Sequence, residues 1–339
     1  MSGDSAHNPY TIDPARHRRF DERQTAFARQ HWDREASYYE RDYRADAPER
    51  VSTGDAGYTR VELARLLASW TVHNCFSGAF SWKRLGQADA ALMRLGRHVV
   101  DDPARMTAET KETARTFGAD LVGVCRLDPR WVYSHDRSGD VIVVPDGYRN
   151  VIVMGIAMDR EAVSTSPTYP SATATGVGYS RMVFAIASVA EFIRNLRYGA
   201  IPMGNDTALS IPLAIDAGLG QLGRNGLLIT REFGPCVRLC KILTDLPLQP
   251  DEPAAFGVTD FCRGCRKCTE ACEAEAISAE EDPSYDVACP SNNRGILRWA
   301  VHADRCYEYW IRNTAACSNC IAACPFTRRG AEVLRSAEA

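Results

Sequence analysis

The stretch CRGCRKCTEAC, Cys262 to Cys272, sets four cysteines at intervals of two, two and three residues. A second run follows at Cys306, Cys317, Cys320 and Cys324, with Pro325 directly after it. Eight of the chain's thirteen cysteines lie in these two runs, and intervals this short belong to metal ligands rather than to a disulfide framework. Three thiolates two residues apart can wrap three corners of a cuboidal 4Fe-4S cluster, and in two-cluster ferredoxins the fourth cysteine of the run ligates the other cluster. That crossover assigns Cys262, Cys265, Cys268 and Cys324 to one cluster and Cys272, Cys306, Cys317 and Cys320 to the other. Structural zinc also uses C-x2-C pairs, but the third and fourth cysteines of such a run would be surplus to a tetrahedron. Glu273 stands where proline usually follows the fourth cysteine, a change that affects a turn more than ligation.

Of the remaining cysteines, Cys75 and Cys125 sit in apolar segments and read as buried small hydrophobes. Cys236, Cys240 and Cys289 have no clear part, a further metal pair at Cys236 and Cys240 being the less favoured reading.

Upstream of the cysteines the composition is that of an ordinary globular chain. Hydrophobic residues at 45%, charged residues at 24% and a net charge of -3 exclude disorder and a polybasic nucleic-acid binder. The uncharged stretch from Leu66 to Trp82 contains His73, Asn74, Ser77 and Gly78 and is too short and polar for a bilayer span. Arg18, Arg19 and Phe20 look superficially like a twin-arginine export signal, yet Asp21 and Glu22 follow where an apolar segment should begin. A cytoplasmic location is expected, with an exported mature form as the alternative.

Four segments are expected: a helical and irregular cover over 1–71, a core over 72–256, a two-cluster ferredoxin-like domain over 257–328 and a tail over 329–339. Helical periodicity runs from Glu62 to about Leu95 and again through MTAETKETARTFGA. The period then changes. Asp120–Cys125, Val141–Val144 and Val151–Met158 are short, apolar and β-branched, like interior strands of a covered sheet. Met182–Leu196 reads as an amphipathic helix. Helices interspersed with buried strands predict an α/β or α+β core, and the shift in composition beyond Pro247–Pro253 sets its end near 256.

About 250 residues precede the cysteines, far more than an electron carrier requires, so something else is being reduced. Gly218, Gly220 and Gly223 spell G-x-G-x-x-G, but IPLAIDA before them looks helical and LLIT after them looks like a strand, the reverse of a dinucleotide-binding turn. The glycines are read instead as letting backbone approach a large ligand closely.

Several long motifs in one order, MTAETKETARTFGADLVGVCRLDPRWVYS, GYSRM, IPMGNDTALSIPLAIDAGLGQLGRNGLLITREFGP, TDLPLQPDEP and the two cysteine runs, resemble the catalytic subunit of cobalamin-dependent reductive dehalogenases. The resemblance covers roughly residues 100 to 328. It implies a nitroreductase-like cobalamin-binding core followed by the two-cluster domain, and a corrinoid bound base-off without an axial histidine from the protein. The chain lacks the D-x-H-x-x-G pattern of histidine-ligated corrinoid proteins, and His135 in SHDRSG reads as a loop residue.

The resemblance also implies Tyr179, Arg238 and Asn205 as the catalytic residues. Gly178, Asn205, Ser210, Gly218, Gly220, Gly223 and Arg224 are implied as corrinoid contacts, Arg224 toward its phosphate or propionamide groups. Tyrosine, with an ordinary pKa of about 10, is a reluctant acid that a permanently charged arginine would assist. Asn205 could bond Tyr179, the substrate or the corrin side chains. Singly, each has a plainer reading: Tyr179 as a helix cap, Arg238 in a salt bridge, Asn205 in a turn.

The implied cycle passes electrons through both clusters to give Co(I), which attacks an organohalide at halogen or carbon while Tyr179 supplies a proton and halide leaves. The substrate would be a halogenated alkene, phenol or other aryl halide. With no reductase module before the end at Ala339, the expected reductant is an external low-potential donor: a ferredoxin, a flavodoxin or a membrane-linked donor. Trp82, Trp131, Tyr169 and Trp310 are candidate pocket walls. Rival readings are an epoxyqueuosine-reductase-like enzyme acting on tRNA, a non-catalytic electron-transfer subunit, and a flavin nitroreductase fused to clusters.

Overall fold

The computed structural model describes residues 11–76, 94 and 96–335. Its centre is β2, Asn150–Ala157, whose sequence NVIVMGIA is buried along nearly its whole length. Alternation along this strand splits its side chains between two cores. Ile152, Met154 and Ile156 face one cluster of apolar residues, and Val151 and Val153 face another. Strand β1, Leu121–Arg126, pairs with one edge of β2, and β6, Val237–Thr244, pairs with the other. Strand β3, Ala200–Met203, completes a fully antiparallel sheet in the order β1-β2-β6-β3.

The first face is covered by the helix Pro103–Thr116 and by a long helix, Tyr169–Asn195, which contributes Met182, Ile186, Val189 and Ile193. The second is covered by the helix Ser210–Asp216, which brings Leu213, Ala214 and Ile215. A short hairpin of β4, Gln221–Leu222, and β5, Leu228–Ile229, follows. The chain is therefore mixed α/β, with a sheet covered on both faces as its buried strands predict.

Three readings change. Val141–Val144 forms only an isolated bridge from Val141 to His135, and Val141 and Val143 stand 64% and 77% exposed. The run is apolar but has no strand to pair with along its length before the Asp146-Gly147 turn. The long helix begins at Tyr169 rather than at Met182. Its first half is rich in Gly, Thr and Ser, which masks a helix, but the small residues permit close packing: a Cβ on Gly176 would lie 2.0 Å from Ser69 Oγ. Cys75 is exposed rather than buried, whereas Cys125 is in the core.

The glycine turn also serves a different purpose from the one expected. Gly218 has φ +74°, and a Cβ there would meet the Glu252 carbonyl oxygen at 2.5 Å; one on Gly220 would meet that of Ile229 at 2.2 Å. These glycines, with Gly223 against the Ile229 side chain, make room for the chain's own residues.

Residues of the N-terminal segment lie against the helix Ala303–Asn313 of the cysteine-rich segment. Arg29 forks onto both oxygens of Asp304 at 2.8 and 2.9 Å, and the Tyr38 hydroxyl donates to Oδ1 at 2.9 Å. The long helix passes the length and apolarity criteria for a membrane span, yet its apolar side is the sheet's own core.

Candidate active site and metal centres

Tyr179 lies one turn beyond Thr175 on the long helix, facing the start of β6. There Arg238, paired in register with Ile156, donates from Nη2 to Thr175 Oγ1 at 3.0 Å and sets its guanidinium carbon 5.3 Å from the Tyr179 ring centre. Gly178 leaves space for this approach, since a Cβ on it would lie 3.0 Å from Arg238 Cγ. The helix Arg60–Ser69, begun by a reciprocal Thr59–Glu62 capping box, delivers Trp70 to stack on Tyr179 at 5.0 Å. His73 meets the same ring edge-on at 5.4 Å.

Asn205 Nδ2 donates to the Tyr179 hydroxyl at 2.7 Å. Tyr179 thus accepts at its oxygen, which leaves its own proton free for another acceptor. Asn205 is held through its main chain, whose carbonyl accepts from the Tyr133 hydroxyl at 3.3 Å. Lys241, fully buried on β6, donates to the carbonyl of Gly204, to that of Asp206 at 3.3 Å and to Ser210 Oγ at 3.0 Å. Burial pushes the Lys241 ammonium down to about 8, opposed by Asp206 and Glu22. A lysine inside VRLCKILT was the signal for it in the sequence, but as a lone charge in an apolar strand it had no pattern to join.

Tyr133, Tyr179, Asn205 and Arg238 line a cleft of about 480 Å³ that also reaches Ser210, Asn293, Arg298 and Trp299. Both amide atoms of Asn293, together with Nε of Arg238 and of Arg298, are buried there without a partner. Buried polar groups ordinarily find partners, so the wall suits a ligand rich in amide and carbonyl groups. Asn293, Arg298 and Trp299 come from the segment between the two cysteine runs, which the sequence reading left unassigned.

Tyr179, Asn205, Arg238 and Ser210 therefore meet at one cleft. Gly218, Gly220 and Gly223 do not line it, and neither does Arg224, which is 1% exposed and turned onto main-chain carbonyls of the cysteine-rich segment. Of the candidate walls, Trp131 donates to Asp216 Oδ2 at 3.0 Å in the core, Tyr169 bonds Thr314 at 3.0 Å, and Trp310 packs with Tyr307. None of these lines the cleft, and Trp82 lies outside the described residues. His135 is a loop residue whose Nδ1 is 3.8 Å from Asp21.

Cys262, Cys265, Cys268 and Cys324 line one small cavity with Phe261, Ile229 and Phe326. The other four cysteines gather separately. Burial lifts the Cys306 thiol to about 12, with Cys317 and Cys272 adding to the rise, and Cys320 is raised by burial and then by Cys306, Cys317, Cys268 of the first set and Cys272. Cysteines so grouped suit a shared metal centre, whose cation would favour their thiolates. The cavity brings Cys324 to the three cysteines of the first run, the grouping that the crossover expects.

Cys289, His302 and Asp304 bring a further S, N and O within 4.8 Å. Both Asp304 oxygens are engaged by the buried Arg29, which disfavours a cation there.

The family of 4Fe-4S dicluster domains matches residues 261–327. This defines the class of the C-terminal part: the chain has a dicluster iron-sulfur domain. It is 40% identical over 260 residues to the tetrachloroethene reductive dehalogenase of Desulfitobacterium hafniense, covering 64% of this chain and 47% of that protein. It is 38% identical over 257 residues to the tetrachloroethene reductive dehalogenase of Sulfurospirillum multivorans, covering 67% and 51%. A solved structure described as a reductive dehalogenase suggesting a mechanism for B12-dependent dehalogenation superposes with a TM-score of 0.73 at 23% identity, over 97% of this chain and 45% of that one. In sequence and in fold the chain is similar to reductive dehalogenases, and it spans about half the length of the curated relatives it matches.

Proposed function

We propose that the protein carries out reductive dehalogenation, R–X + 2e⁻ + H⁺ → R–H + X⁻, with cobalamin in the cleft and two 4Fe-4S clusters on the two cysteine sets. The observation that carries this reading is the Tyr179–Asn205–Arg238 constellation on the wall of a cleft whose other wall comes from the cysteine-rich segment.

Bound cobalamin would supply the low-valent cobalt at which the carbon–halogen bond breaks. Asn293, Arg298 and Ser210 would meet its amides, and Arg238 Nε and Asn205 lie on the same wall. Among the described residues no histidine lines the cleft, in keeping with a base-off corrinoid without an axial histidine. Tyr179 donates the proton, its ring held by Trp70 and its oxygen by Asn205. Arg238, always charged, stabilises the tyrosinate left behind and favours the departing halide nearby. Cys262, Cys265, Cys268 and Cys324 would hold one cluster and Cys272, Cys306, Cys317 and Cys320 the other, and the two would supply electrons from an external low-potential donor, a ferredoxin, a flavodoxin or a membrane-linked carrier. The substrate is an organohalide.

The test is anaerobic purification, with cobalt, iron and acid-labile sulfide quantified per chain and halide release measured on chlorinated alkenes and halophenols. One corrinoid and about eight irons, with halide release, are expected. Eight irons and no corrinoid after attempted reconstitution would sink the proposal.

A further inference from the structure

Arg224 has the most enclosed guanidinium of the cysteine-rich region, at 1% exposure. Its Nε and Nη2 donate to the Cys262 carbonyl at 3.0 and 2.8 Å, and Nη1 donates to those of Ser278 and Glu280 at 3.0 and 2.5 Å. Longer bonds reach Arg263 and Glu281 at 3.3 and 3.4 Å. The Trp299 ring lies 4.6 Å from the guanidinium carbon, and its indole donates to the Glu280 and Glu281 carbonyls. Every one of these partners is neutral. Among the described residues no carboxylate forms a salt bridge with Arg224.

A buried cation without a counter-charge is costly, and buried charges are accordingly paired or bound to metal sites. Arg224 lines the same small cavity as Cys262, Cys265, Cys268 and Cys324. Four thiolates around an oxidised 4Fe-4S core leave a net charge of about minus two, so the missing counter-ion is the cluster itself. The other set has a different neighbour: the Glu273 carboxylate, fixed by the Tyr309 hydroxyl at 2.8 Å and Asn319 Nδ2 at 3.1 Å, follows directly on Cys272.

We propose that Arg224 is the counter-cation of the cluster on Cys262, Cys265, Cys268 and Cys324, and that it raises this cluster's reduction potential above that of the cluster on Cys272, Cys306, Cys317 and Cys320. Taking up one electron adds one negative charge without a proton. A fixed buried cation stabilises that added charge, and net charge and hydrogen bonding are levers on cluster potential. The inference rests only on the iron-sulfur part of the proposed function and holds whether or not the cleft takes a corrinoid.

The test is a potentiometric titration of the anaerobically purified holoprotein, with dithionite as the electron source and electron paramagnetic resonance as the readout. Iron is counted in every sample, so failure to load clusters is separated from failure of the inference. Arg224→Gln should lower one couple so that its reduced-to-oxidised ratio at a fixed potential falls at least tenfold, about 59 mV for one electron. Arg224→Lys, which keeps the charge but loses the fork, should fall much less. An iron-replete Arg224→Gln with both couples unmoved, or a lysine variant shifted as far as the glutamine one, overturns the proposal. Should Arg224→Gln not retain iron, the order of the two couples in the unsubstituted protein decides, assigned with Cys306→Ala. The cluster that survives in that variant must be the higher of the two, and a lower one rejects the inference.

Discussion

Asn205, from the turn after β3, and Tyr179, from the long helix, meet on one wall of the cleft through a 2.7 Å bond from amide to phenol oxygen. This bond uses the oxygen of Tyr179 and spares its proton. Tyr179→Phe should therefore lower halide release by about 100-fold or more, the usual scale of a lost general acid, with corrinoid and iron contents unchanged. Asn205→Ala, which removes a partner but not the proton, should cost roughly tenfold, about 1.4 kcal/mol. Equal losses for the two variants would assign Asn205 a part beyond holding the phenol.

The turn that carries Asn205 depends on Lys241. Lys241→Met leaves the carbonyls of Gly204 and Asp206 and the hydroxyl of Ser210 without this donor. Unsatisfied buried groups cost about 1–3 kcal/mol each, so a stability loss of roughly 3 kcal/mol is expected in urea unfolding of the metal-loaded protein. Unchanged stability would mean that the turn finds other donors.

Asp216 gives a pH dependence of defined sign. Burial lifts its carboxyl from 3.8 to about 6, against the hydrogen bond from Trp131. The folded state therefore holds this proton more tightly than the unfolded chain, and the group's contribution is greatest below 3.8 and is lost as pH rises through about 6. Asp216→Asn can still accept from the Trp131 indole without the charge. It should be more stable than the parent above pH 6, by up to about 3 kcal/mol, with the advantage fading toward pH 4. Parallel stability curves over that range would rule out Asp216 as the source.

Crossed ligation of the clusters is open to iron counting. Cys262→Ala and Cys324→Ala, far apart in the sequence, should abolish the same electron paramagnetic resonance signal, and Cys272→Ala and Cys306→Ala should abolish the other. Loss of one signal by Cys262→Ala together with Cys272→Ala would contradict the arrangement, because those two lie in one run but Cys272 does not line the cavity of Cys262.

What could be read beforehand followed the physics of each signal. Ligand spacing is local, so the two cysteine runs were legible as metal ligands, and Cys324 does share one cavity with Cys262, Cys265 and Cys268. The buried strand Asn150–Ala157 announced itself through unbroken hydrophobicity. Strand β6 did not, because Arg238 and Lys241 interrupt its apolar run, and those charges are there for the cleft. The first half of the long helix was hidden by small residues whose purpose, contact with Trp70 and Arg238, exists only in three dimensions. Arg224 shows the limit most clearly. Its place beside a glycine turn pointed to a ligand's phosphate, and only the fold reveals that its partners are carbonyls about forty to sixty residues away.

The long helix, finally, acts as a beam pinned at three points. Its first turn is tied through Tyr169 to Thr314 beside the second cysteine run, its middle carries Tyr179, and its last turns bury Ile193 under the sheet. The cysteine-rich segment and the cleft residue Tyr179 are thereby mounted on one continuous element. By the same reasoning, severing the chain near residue 256 would not yield two working parts, because the front piece would carry away the beam on which the rear piece is mounted.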